Sequence, residues 1–131
     1  MQEDLGKLVV RLGVGVLLLL HGTHKLLTGI AVVKAMVVAH HLPDVIAYGV
    51  YLGEIVGPVL VILGLFSRLG GLLIAANMVV AIALAGTAGL FALNAAGGYA
   101  LELETFYLLG GVSVALLGAG RIGLNIGGNW N

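Results

Sequence analysis

Four apolar runs decide what this chain can fold into: Leu5–Leu27, Asp44–Phe66, Leu69–Ala88 and Ala100–Leu117. Each is close to the roughly 17 to 25 residues that a helix needs to cross the hydrocarbon core of a bilayer. Lipid offers the backbone no hydrogen-bond partners, so helix persists there even across Gly and Pro. Charged residues make up only 9% of the sequence, against about a quarter in a soluble domain. The expectation is an all-α integral membrane protein: one four-helix bundle forming a single domain over residues 1–131.

Several function classes drop out on charge and composition. Six basic and six acidic side chains cancel, so no electrostatic footprint for nucleic acid exists. Cysteine is absent, which removes disulfides, thiol redox chemistry and thiolate-ligated iron–sulfur clusters. The N-terminus, Met1-Gln2-Glu3-Asp4, is acidic, and no small-x-small cleavage site follows Leu17–Leu20. The first run therefore reads as a retained helix rather than a signal peptide.

The connections differ in character. Thr28–Leu42 is too long for a tight turn, and Val32, Val33, Met36 and Val37 interrupted by Lys34 predict a short interfacial helix. Pro43-Asp44 reads as a helix start, with Asp44 favoured at its positive end. Ser67-Arg68 reads as a tight hairpin, Gly97-Gly98 as a break, and Gly118-Ala119-Gly120-Arg121 as the end of the fourth span. Trp130 is a candidate interfacial anchor. Lys7, Arg11, Arg68 and Arg121 fall on one side and Lys25 and Lys34 on the other. Both termini are then expected in the cytoplasm, and all four histidines toward the outer side. Small residues recur at helical spacing, Gly49-Gly53-Gly57 and Gly111-Ala115-Gly118 among them, which suits close helix packing in lipid.

Polar residues inside these runs carry whatever chemistry the chain has. An ionisable group at that depth costs several kcal/mol unless it is paired or hydrated. His21-Gly22-Thr23-His24-Lys25 places three of them at the end of the first span. Arg11, Gly15, Leu18, Gly22 and Lys25 follow a 4-3-4-3 spacing and share one helix face. Helical rise puts His21 ~9 Å in from Leu27, and Glu54 ~15 Å in from Asp44. Glu54 either neutralises Arg11 or Lys25 as a structural pair or lines a functional cavity. Asn77 reads first as interhelical glue and second as a ligand. Tyr51 and Tyr107 could donate hydrogen bonds into the same space. Glu102 and Glu104 face nearly opposite ways, so only one points inward. Glu104 continues the stripe through Tyr107, Gly111 and Ala115. His21, His24, His40 and His41 are metal-ligand types, but the two pairs come from different segments. A bis-histidine haem is not expected, because both intramembrane histidines lie on one helix.

The chain resembles the DoxX family along nearly its whole length. The resemblance is carried by Arg11-Leu12-Gly13-Val14-Gly15, by His21-Gly22-Thr23-His24-Lys25 and by Leu42-Pro43. Glu54, Gly64-Leu65-Phe66-Ser67-Arg68, Asn77, Glu102 and Gly118-Ala119-Gly120-Arg121 continue it. Ala119 stands where usual members have a proline. The resemblance implies a four-helix protein of the bacterial or archaeal cytoplasmic membrane, among membrane-associated oxidoreductases. Relatives include subunits of thiosulfate:quinone oxidoreductase and proteins tied to oxidative-stress and thiol redox complexes. The family's acid in the fourth span matches Glu102, so both glutamates stay open.

The functional expectation is a membrane subunit of a quinone-linked oxidoreductase, acting with a partner redox protein or as a homo-oligomer. Its polar cavity would hold a quinone or a small anionic substrate. His21, His24 and Glu54 are the candidate catalytic groups; Arg11, Lys25, Tyr51, Asn77, Glu102 and Glu104 are the candidate binding groups. A non-enzymatic scaffold subunit is the alternative, and a small metal or anion transporter a third.

Overall fold

A computed structural model describes all 131 residues. Five helical segments, α1 (Gln2–Thr28), α2 (Ala31–Ala39), α3 (Asp44–Leu63), α4 (Ser67–Leu90) and α5 (Glu102–Leu117), precede a single 3-10 turn at Gly128–Trp130. Three of them, α1, α3 and α4, are long and apolar enough to cross a membrane. The fourth expected span is shorter than its apolar run, since α5 has 16 residues and starts at Glu102. Asn94 organises the chain before it, its Oδ1 accepting the N–H groups of Ala96 and Gly98, each at 3.0 Å. Leu93 and Tyr99 then pair across a short hairpin, which takes residues 100 and 101 out of the helix.

The end of α3 also differs from expectation. Gly64 adopts φ +70° and closes the helix in the left-handed conformation that suits glycine. The turn therefore occupies residues 64–66, and Ser67-Arg68, expected in the hairpin, begins α4 instead. Within α4, Gly86 has φ 77° and ψ 174°, a break in an otherwise regular helix.

α3 is not one uniform helix. It opens as a 3-10 segment (Asp44–Gly49), widens to a π-helical turn (Leu52–Val56), and finishes as an α-helix (Gly57–Leu63). Pro58 explains the widening. It has no N–H to give the carbonyl of Glu54, and its ring crowds that carbonyl. The turn relaxes to an i→i+5 pattern, with the Gly57 N–H donating to the Leu52 oxygen.

The helices α1, α3, α4 and α5 pack side by side, α1 meeting both α3 and α5, and α4 lying between α3 and α5. Their shared core is Leu18, Val61, Ile74, Met78, Tyr107 and Val114. Glycines set how closely they approach. A Cβ on Gly71 would stand 2.6 Å from the Gly111 oxygen, and one on Gly111 2.8 Å from the Gly71 oxygen. Backbone contact of this kind is what holds helices together where lipid is as apolar as leucine. A second cluster of Ile30, Val37, Ala47 and Val50 seats α2 against the start of α3.

Residues 118–131 fold back under the end where α3 stops and α4 begins. The Phe66 N–H donates to the Ile126 oxygen at 2.7 Å, and the Leu124 and Asn125 N–H groups to the oxygens of Leu63 and Gly64 at 2.9 Å each. Arg68 Nη1 donates to the Ala115 and Leu116 carbonyls at 2.8 and 2.7 Å. Those carbonyls are the negative end of α5, so a cation there is doubly favourable.

Candidate functional site

A cavity of about 670 Å³ lies at the opposite end, where α1 finishes and α3 begins. Its volume falls in the range usual for small-molecule sites. Valines and Met36 from α2, Ile46 and Val50 from α3, and Leu84 from α4 make most of its wall apolar. Polar side chains complete the lining: His21, His24 and Lys25 from α1, Glu54 from α3, Asn77 from α4, and Glu104 and Tyr107 from α5.

Lys25 and Glu54 form its centre. The ammonium donates to both carboxylate oxygens, at 2.7 Å to Oε1 and 2.6 Å to Oε2. Asn77 Nδ2 donates to Oε1 at 3.3 Å, so three helices meet on one carboxylate. Glu54 is 5% exposed, and the Lys25 side chain 27%. A carboxylate this buried is tenable because cation and amide replace its water. Glu54 is thus both a structural partner and a cavity-lining group, and its cation is Lys25.

Two glycines let the pair form. Glu54 sits in the π turn, where its carbonyl is pushed toward α1 at Gly22. A Cβ at Gly22 would collide with that carbonyl oxygen, and a Cβ at Gly53 with the Asn77 side chain. Any larger residue at position 22 would move α1 away and draw Lys25 off Glu54.

Around this centre, His21 packs edge-on to Tyr107, with ring centroids 5.9 Å apart and planes at 81°. His24 lines the cavity one turn further along α1. The hydroxyl of Tyr51 donates to the Lys25 carbonyl at 3.4 Å, a long bond at the end of α1. Of the two glutamates left open by the sequence, Glu104 lines the cavity. Glu102 is exposed and accepts a hydrogen bond from Asn94 Nδ2 at 3.3 Å.

Arg11 is elsewhere. It is 1% exposed and lies beside α3's far end, with no acidic partner. Nε donates to the Val61 oxygen at 2.8 Å, Nη2 to Ile62 at 3.1 Å, and Nη1 to Ala119 at 2.7 Å and to Ile122. The expected placement of Arg11 with His21 and Glu54 is therefore corrected. Its guanidinium fork matches carbonyls converging from α3 and the tail, which take four of its five N–H donors. His40 and His41 are also apart from the cavity. His40 Nδ1 contacts the Met36 oxygen at 2.9 Å, both rings are exposed, and the four histidines do not converge.

Outside the cavity lining, Lys34 on α2 donates to the Tyr48 hydroxyl at 2.8 Å and lies 4.6 Å from that ring's centroid. The hydrogen bond to Tyr48 holds the Lys34 ammonium above its ordinary pKa. This clasp ties α2 to the start of α3. Neither it nor the π turn was read from sequence, although Pro58, four residues after Glu54, is the signal that marks the turn.

Residues 6–87, well over half of the chain, match the family model described as DoxX. No curated protein and no solved structure matches it.

Proposed function

We propose, from the premise that the chain belongs to the DoxX family of integral membrane proteins, that it is the membrane subunit of a quinone-linked redox system. In this reading α5 crosses as a fourth span, α2 lies at the interface, and both termini are cytoplasmic. The cavity then opens toward the outer leaflet of the inner membrane. It would hold a quinone head group or a small anionic substrate.

The cavity carries the proposal. It joins an apolar wall, suited to an isoprenoid or acyl chain, to a polar end built from four helices. Quinone reduction takes up protons together with electrons, and a bound quinone would supply that chemistry. His21 and His24 are side chains of the type that titrates near neutral pH. They line the same cavity as the Lys25–Glu54 pair, and would hold or pass on a proton there. Tyr107 packs edge-on against the His21 ring. The chain has no cysteine, so electrons would come from a partner protein.

Glu54→Gln and His21→Ala should each abolish quinone-linked activity in native membranes while leaving the protein in the membrane at normal abundance. Unchanged rates would sink the proposal. A second reading, a scaffold subunit, draws support from Arg11, a buried charge accounted for wholly by carbonyls. It requires that Lys25→Met with Glu54→Met remain folded and fully active.

A further inference from the structure

We infer that Glu54 sets the charge preference of the cavity: by occupying Lys25 it makes the site one for uncharged head groups, and it bars anions. This rests on the cavity being a ligand site and chooses between the two ligand classes left standing above.

Only one cation of unconditional charge, Lys25, lines the cavity. Its ammonium is held by both oxygens of Glu54, which leaves it little to offer a ligand. Arg11, the other buried cation, is outside the lining and satisfied by carbonyls. Glu104 does line the cavity, and no basic group pairs with it. An entering carboxylate or oxoanion would meet an unpaired carboxyl group and no free positive charge. Removing its hydration shell there would go uncompensated. An uncharged carbonyl or hydroxyl, by contrast, finds hydrogen-bonding partners in His21, His24, Tyr107 and Asn77, and its chain finds the apolar wall.

The same geometry predicts a reversal. Glu54→Gln keeps size and hydrogen-bonding capacity but releases the Lys25 ammonium, turning the polar end into an anion site. The test uses the full chain in phosphatidylcholine nanodiscs at pH 9, where a carboxylic acid is ionised and the ordinary histidine is not. Two probes of equal length, a dodecanol and a dodecanoate each bearing a mid-chain diazirine, are photo-crosslinked at matched membrane concentration. Labelled peptides are then mapped by mass spectrometry.

In the wild type the alcohol should label the cavity wall at least tenfold more than the carboxylate. In Glu54→Gln, carboxylate labelling should rise at least tenfold, and adding Lys25→Met should cancel the rise. Equal labelling of the wild type by both probes overturns the inference and leaves the cavity as a ligand site. So does a folded Glu54→Gln with no gain. Absence of cavity labelling by either probe overturns the inference and the functional proposal together. Should Glu54→Gln fail to fold, the wild-type ratio decides alone.

Discussion

Arg11 and Lys25 sit on the same face of the same helix, fourteen residues apart, yet the protein treats them in opposite ways. The arginine is sealed. Four backbone oxygens receive its donors, and it lies outside the cavity at the other end. The lysine is one-quarter exposed and faces a cavity, neutralised by a side chain that a mutation or a proton can change. A charge satisfied by main chain is fixed for the life of the fold. A charge satisfied by a titratable side chain is adjustable. The first cation is held by main chain and the second by a side chain.

Arg11→Met should break this contrast most severely. It strands buried carbonyls from α3 and the tail, at about 1–3 kcal/mol for each one left unsatisfied. We expect loss of several kcal/mol in a reversible unfolding titration. Arg11→Lys should fare little better, since a single ammonium cannot reproduce the fork. Full stability in either variant would contradict the sealed-cation account.

Gly22→Ala comes next. Its methyl meets the Glu54 carbonyl, a backbone atom with little freedom to shift. Overpacking of this sort costs about 1–3 kcal/mol, and here it should also pry Lys25 from Glu54. Gly13→Ala, on the same helix with open space around it, is the control and should be silent.

The Lys25–Glu54 contact can be isolated by a double-mutant cycle. Lys25→Met and Glu54→Gln should each destabilise, while the double variant costs less than their sum by about 1–3 kcal/mol. Additive costs would mean that the two charges do not depend on each other. Asn77→Ala should cost less, on the order of 0.6 kcal/mol, as interhelical hydrogen bonds in membranes usually do.

The clasp on α2 should give the smallest effect and one that depends on pH. The hydrogen bond raises the Lys34 pKa, so its contribution is present below the ordinary lysine value and is lost as pH rises through the raised one. Amide exchange over Ala31–Ala39 should therefore quicken in strong alkali relative to the rest of the protein. Tyr48→Phe should show that quickening already at neutral pH.

Much of this was legible in the chain because a membrane leaves few choices. Long apolar runs give helices, and the rare polar residues inside them mark the site. Lys25, Glu54, Asn77 and Glu104 fall together as their depths and stripes suggest. Arg11 was not legible, because its partners are main-chain oxygens 50 and 108 residues away. Carbonyls carry no residue signature. The shortening of α5 was hidden for a similar reason: Asn94 acts through its side-chain oxygen on nearby N–H groups, in a stretch hydropathy alone runs into the helix. Length and polarity spoke plainly, and local backbone bonding did not.

The cage around Arg11 has an implication for how the molecule is made. Val61 and Ile62 emerge from the ribosome long after Arg11, and Ala119 and Ile122 later still. Because chains are built from the N-terminus, the first helix must enter the bilayer with its cation bare, its long stem reaching for the water at the surface. Only when the segment after α5 arrives can that guanidinium withdraw inward, so a stretch translated late locks an earlier one in place.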